Sequence, residues 1–236
     1  GSIDNQDVLL ESTRSGGNLL IINPLVTDDA VFVNDGTSIR RYDRYGDRLE
    51  WSHESVRSPR RSAGDFIDLS GLDSDGRILV ALSGLGMATR RTASPEVIGL
   101  DAIDGSLLWA TRIDQCDFSS TPSSGGRAFN LTNAFPYAGP LIDCDKVIIP
   151  VRRVVAATRE SIDYLIALDL ESGRPAWIRL LGSSGSLQVA RGFSRTILAD
   201  GKAITASPLG TISCVDSSTG DLLWLRKFEV DGERSG

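Results

Sequence analysis

Three residue types in this 236-residue chain could do covalent or metal chemistry, and their spacing restricts what that chemistry could be. A single histidine, His53, stands beside Glu54 and has the chemistry of a general base. No serine or cysteine nucleophile lies at a definable spacing from it, and metal sites built on two histidines are ruled out within the chain. The three cysteines, Cys116, Cys144 and Cys214, form no CxxC or CxxCH pattern, so neither a thiolate metal cluster nor an attached haem is supported. A Cys116–Cys144 disulfide is compatible with an oxidising compartment, whereas Cys214 falls inside an apolar run and reads as a packed thiol. Carboxylates are plentiful, but Asp28-Asp29, Asp73-Ser-Asp75 and Asp143-Cys-Asp145 recur at equivalent turn sequences, where a carboxylate caps backbone N–H groups. None has the spacing of a calcium-binding loop. No catalytic, cofactor-binding or metal-binding residue is assigned.

The informative spacing belongs to aspartate and tryptophan. All four tryptophans follow an aspartate by eight residues: Asp43 and Trp51, Asp101 and Trp109, Asp169 and Trp177, Asp216 and Trp224. With 23 aspartates in 236 residues, four matches out of four is roughly a one-in-a-thousand coincidence, so the chain carries an internal repeat. Three copies place a glycine four residues after the aspartate, at Gly105, Gly173 and Gly220. A turn residue with positive φ is expected there. The first copy departs, with Gly46 one place early and Asp47 in the glycine position, which predicts that Asp47 takes the positive φ in a looser hairpin.

Upstream of each copy lies a second signature, two apolar runs around an Asp/Gly turn, as in Ile197-Leu-Ala-Asp200-Gly201-Lys-Ala-Ile-Thr205. That pattern reads as a hairpin, and two hairpins per repeat make a four-stranded antiparallel unit. The Trp-to-Trp intervals run from 47 to 68 residues, and no stretch sustains a 3.6-residue apolar period. The expected fold is therefore all-β, a β-propeller of about four blades over approximately residues 20–56, 66–114, 138–182 and 194–230, in one segment spanning 1–236.

The copies resemble the PQQ-like (quinoprotein-type, BamB-like) β-propeller repeat proteins, whose blades carry a tryptophan-docking motif, Ala-x-Asp-x-x-x-Gly-x-x-x-Trp. Ala167, Asp169, Gly173 and Trp177 match it fully; Gly99, Cys214 and Arg41 replace the alanine in the other copies. The resemblance implies a ring of about seven or eight blades, of which these are a part, completed by further blades or by a second chain. It also implies a periplasmic or cell-envelope location. Dehydrogenases of this type hold pyrroloquinoline quinone with Ca²⁺, adjacent cysteines and a stacking tryptophan. This chain has no adjacent cysteines, and its four tryptophans all belong to the motif, so no cofactor is expected.

Net charge of −6 and a pI near 4.9 disfavour nucleic acid or an anionic membrane as a partner, and no run of 18 apolar residues or export leader is readable. The cations are 22 Arg against 3 Lys, with pairs such as Arg60-Arg61 and Arg152-Arg153. They read either as ion-pair partners of the 31 acidic residues or as a basic rim for an anionic partner. Two long inter-repeat stretches are candidate contact surfaces. Residues 114–137 include Phe118, Arg127, Phe135 and Tyr137 and an Asn130-Leu-Thr132 sequon; Ser183 to Ser186 with Arg191 and Arg195 form the second. The expected function is a non-catalytic scaffold that presents such loops to a protein. The alternatives are a fragment of a PQQ-dependent dehydrogenase and a ligand-sensing propeller of a signalling protein.

Overall fold

A computed structural model describes residues 24–34, 38–54, 72–83, 96–121, 129–155, 157–185, 195–207 and 209–228. Among them the strands form four antiparallel sheets, each a four-strand meander in chain order, the third with one extra strand off that path. Blade 1 holds β1 (Leu25–Val26), β2 (Ala30–Asn34), β3 (Ser38–Asp43) and β4 (Leu49–Glu54), and blade 2 holds β5 (Leu72–Ser74), β6 (Ile78–Ser83), β7 (Glu96–Asp101) and β8 (Leu107–Arg112). Blade 3 comprises β9 (Ala134–Pro136), β10 (Leu141–Asp143), β11 (Lys146–Val155), β12 (Glu160–Asp169) and β13 (Pro175–Ser184). Blade 4 comprises β14 (Arg195–Ala199), β15 (Lys202–Ser207), β16 (Thr211–Asp216) and β17 (Leu222–Lys227). The one helical turn described is a 3₁₀ turn at Ile113–Gln115.

Strands inside the stack are apolar on both faces because each face meets a different blade. Every residue of β6 is buried. Leu79 and Ala81 pack with Ala30, Phe32 and Ile39 of blade 1, whereas Ile78, Val80 and Leu82 pack with Val147, Ile149 and Val151 of blade 3. In β12, Ile166 and Leu168 turn to blade 2 while Leu165 and Ala167 join Ala203 and Val215 of blade 4. This is the continuous apolar run of a fully buried strand rather than the alternation of a half-exposed one.

The meander also sorts the connections. In each blade the first and third turns lie at one end of the sheet; the second turn and the link to the next blade lie at the other. The short Asp-rich turns therefore share one end, and every long connection starts from and returns to the opposite end.

Blade 3 differs from its neighbours. Its strands β11 and β12 run ten residues each, and β9 pairs beside β11 at Arg152, upstream of the position 138 expected for the start of this blade. Within the longer ladder Arg152 faces Asp163 in register, and the buried guanidinium donates to both carboxylate oxygens at 2.7 and 2.9 Å. Ser207 of blade 4 donates its hydroxyl to the same carboxylate at 2.5 Å, and the Tyr137 ring lies 5.2 Å from the guanidinium carbon. Two charges removed from water are held by good geometry at the junction of blades 3 and 4. Removing one partner strands the other, so Asp163→Ala is expected to lower stability by about 3–5 kcal/mol in denaturant unfolding, more than Ser207→Ala.

Candidate functional site

One polar geometry, repeated at three junctions, joins the blades. Trp109 donates its indole N–H to the Leu170 carbonyl at 2.8 Å, Trp177 to Ser217 at 2.9 Å and Trp51 to Ala102 at 3.3 Å. In each case the acceptor directly follows the turn aspartate of the next blade. The ring then lies on that turn's glycine. A Cβ added to Gly173 would sit 2.5 Å from the Trp109 ring, and one on Gly220 would sit 2.6 Å from Trp177. The glycine is therefore required twice, for φ values of 66° and 77° and for the indole laid against it. Sequence reasoning identified the first need and missed the second, because the glycine and the tryptophan it seats belong to different copies.

A second tie follows the same logic. The residue two places after the tryptophan donates to the carbonyl of the seating glycine: Thr111 to Gly173 at 2.7 Å and Arg179 to Gly220 at 2.6 Å. Arg179 also reaches Asp221, 3.7 Å away. The turn aspartates hold the receiving loops in shape. Asp101 accepts the N–H groups of Ile103 and Asp104, and Asp216 those of Ser218 and Thr219. The Ser218 hydroxyl, then the Thr219 N–H, hold the Asp216 carboxyl below the usual range. The stabilisation linked to that depressed value is present above the unfolded aspartate range and lost as pH falls through the folded one.

Asp73 works differently from the capping aspartates around it. Its carboxylate crosses to blade 3 and accepts the Ile142 N–H at 2.6 Å. Burial pushes its carboxyl up, against the lowering effect of the hydrogen bonds from Ile142 and Ser74.

Blade 1 breaks the pattern at two places. Its hairpin closes like the others, with Asp43 N–H on the Arg48 carbonyl at 3.0 Å, so it is not looser. The positive φ lies at Gly46, at 77°, and not at Asp47. The Gly46 N–H bonds the Asp43 carbonyl three residues back, where Gly105, Gly173 and Gly220 each reach four back, which moves the left-handed residue forward by one. In the motif's small-residue position, Arg41 lies beside Trp51 as Gly99 lies beside Trp109. Its guanidinium donates to Ala102 at 2.8 Å and pairs with Asp29 and Glu50, sharing Trp51's acceptor.

The other sequence candidates are dispersed. Phe118 is 1% exposed and packs with Cys116, Leu131 and Ala134 in the core between blades 2 and 3, so it offers no surface. Phe135 and Tyr137 are half-buried in and just after β9, and Arg127 lies outside the described residues. The Asn130 carboxamide oxygen accepts the Thr132 N–H in a local turn. Of the second stretch, Arg195 is exposed on β14, while Ser186 and Arg191 lie outside the described residues. His53 is half-buried on β4. All three cysteines are free thiols, which removes the Cys116–Cys144 pairing: Cys116 is buried beside the 3₁₀ turn and Cys144 is exposed in the β10–β11 turn. Burial, aided by Asp114, pushes Cys116 up to about 12. Among the described residues no group of three or more His, Cys, Asp or Glu could hold a metal, and no helix is long and apolar enough to cross a membrane.

The model of the family described as outer membrane protein assembly factor BamB matches residues 35–235. The chain belongs to this family. BamB from Moraxella catarrhalis is 20% identical with a TM-score of 0.49, over 88% of this chain and 48% of that one. Quinohemoprotein alcohol dehydrogenase from Comamonas testosteroni is 16% identical with a TM-score of 0.57, over 87% of this chain and 34% of that one. Quinohemoprotein alcohol dehydrogenase ADHIIG from Pseudomonas putida HK5 is 14% identical with the same TM-score of 0.57, over 86% and 33%. These dehydrogenases share the propeller fold with the chain. The chain thus spans about half or less of the length of the structures it matches. No curated protein sequence matches it.

Two outcomes are expected from this BamB-family propeller. Trp177→Ala should cost about 3–5 kcal/mol in guanidinium unfolding, and Trp224→Ala less than half as much, since Trp177 is 2% exposed and Trp224 40%. A thiol-reactive dye at pH 8 should label one cysteine in the native chain, Cys144, and all three after unfolding.

Proposed function

We propose that this chain is a non-catalytic β-propeller scaffold that works without a bound cofactor and presents its loop-bearing end to a protein partner in assembly of the bacterial cell envelope. One observation carries the reading: the blades are locked to one another by indole and side-chain ties at the turn end, while the strand ends that the long connections leave from and return to all lie at the other. Such a stack is a rigid platform, and long connections on a rigid platform are where binding resides. The family's description as an outer membrane assembly factor supports the envelope setting. The carboxylates of Asp43, Asp101, Asp169 and Asp216 cap their own turns, and the buried Arg152–Asp163 pair is sealed between blades, which favours architecture over acid–base chemistry.

A photo-crosslinking amino acid placed at Arg159, in the β11–β12 turn, and separately at Asp104, at the opposite end, tests this reading in the native cells. Discrete protein adducts from position 159 and none from 104 are expected. Equal adducts at both ends, or none at either, would remove the proposal. Calorimetric titration with pyrroloquinoline quinone and Ca²⁺ is expected to show no stoichiometric binding; a one-to-one isotherm would favour the dehydrogenase reading instead.

A further inference from the structure

The arginines of this chain admit two readings from sequence, and the structure sorts them by place. Arg41, Arg48, Arg77, Arg112, Arg152 and Arg179 each face a carboxylate and so serve as ion-pair partners. At the connection end of blades 3 and 4 the pattern changes. Arg159 in the β11–β12 turn, Arg195 at the start of β14 and Lys227 at the end of β17 are exposed, and none pairs with a carboxylate among the described residues. Arg153, on β11 near the same turn, is half-buried and hydrogen-bonds the Tyr164 hydroxyl rather than an acid, with its Nε buried and unbonded. Apart from Asp163, which Arg152 neutralises, the carboxylate described at this end of the two blades is that of Glu160 alone.

The rest of the described surface has the reverse charge. The first and third turns of the four blades hold nine carboxylates and four arginines. The connection end of blades 1 and 2 is acidic as well, with Glu54, Glu96, Asp114 and Asp117 against Arg112 among the described residues. A positive patch therefore sits on blades 3 and 4 of a molecule whose net charge is −6. We propose that this patch docks a short acidic segment of a partner protein, whose carboxylates pair with Arg159, Arg195 and Lys227. The planar fork of arginine suits a carboxylate held at two points. An anionic membrane or a nucleic acid is broader than the patch and would bring Glu54, Glu96, Asp114 and Asp117 against like charge. A narrow segment crosses blades 3 and 4 without meeting them. The acidic turns repel the same segment from the other end of the stack, which gives docking a direction. The patch is also rigid, because Arg159 closes a hairpin whose strands are locked to blade 4 by Arg152, Asp163 and Ser207. This inference rests on the scaffold reading and names the chemistry of its partner.

Fluorescence anisotropy of a short rhodamine-labelled poly-L-glutamate peptide titrated with the whole chain tests it. Saturable binding is expected that weakens as salt is raised, since exposed charges are screened beyond about 10 Å at 0.1 M ionic strength. Arg159→Glu with Lys227→Glu should cut the affinity about tenfold or more. Arg174→Glu with Lys202→Glu, exposed at the turn end of the same blades, imposes the same change in net charge and should cut it by less than about twofold. Arg159→Gln with Lys227→Gln, expected to weaken binding about threefold, reads the same property if charge reversal impairs folding. No binding to the peptide at low salt would overturn the proposal. So would equal losses from the two charge-reversed chains, which would reduce the effect to overall charge. Capture of the chain by phosphatidylglycerol vesicles or single-stranded DNA, without binding to the peptide, would make a lipid or nucleic acid the occupant and overturn it too. Protein adducts from position 159 in cells together with no peptide binding would leave the scaffold standing and remove the acidic partner.

Discussion

The indole of one blade bonded to a carbonyl at the foot of the next is the interaction on which the rest of this structure depends. A single sheet of four short strands has two apolar faces and cannot bury either by itself. Stacking solves that problem only if successive sheets meet at a reproducible angle and height. The indole sets both, because its N–H must reach one carbonyl while its ring fills the wedge above one glycine. Each junction thereby covers an aromatic side chain, fully for Trp109 and Trp177 and partly for Trp51, and satisfies a backbone acceptor.

The consequences spread along the strands. Once Trp109 and Trp177 fix the spacing, β6, β11 and β12 lie between two neighbours and carry aliphatic side chains on both faces. The polar exceptions are informative. Arg152, Asp163 and Ser207 form a closed hydrogen-bonded group between blades 3 and 4, at the opposite end of the ladder from the tryptophan tie. Blade 3 is thus fastened to blade 4 at both ends, and its strands have the length to reach the second point. Asp73, reaching across to Ile142, performs a smaller version of the same task between blades 2 and 3.

The first and fourth blades show what the repeat looks like when one of its terms changes. Arg41 in a position otherwise held by Gly, Ala or Cys is accommodated because its guanidinium turns to the Ala102 carbonyl and to two carboxylates, at the expense of a longer Trp51 bond. Trp224 has the same relation to Cys214 that Trp177 has to Ala167, yet stays partly exposed. One spacing in sequence therefore yields a buried anchor or an open surface, according to what lies beyond it.

Much of the architecture was legible from residue spacing alone. The Asp-to-Trp interval, the Asp/Gly hairpins and the lack of helical period determine four antiparallel sheets, because turn chemistry and strand alternation are local and act within about a dozen residues. Tertiary structure alone decided which partner each residue serves. That Gly173 seats Trp109 rather than Trp177, that Phe118 is core rather than surface, and that Ser207 closes the Arg152–Asp163 pair follow from packing between different blades. The two cysteines that looked pairable are separated for the same reason, one held under the blade 2–3 core and the other on a turn in water. Contacts of that kind join positions tens of residues apart, and no local pattern encodes them, since the same aspartate, glycine or aromatic satisfies the same local rule wherever its neighbour blade places it.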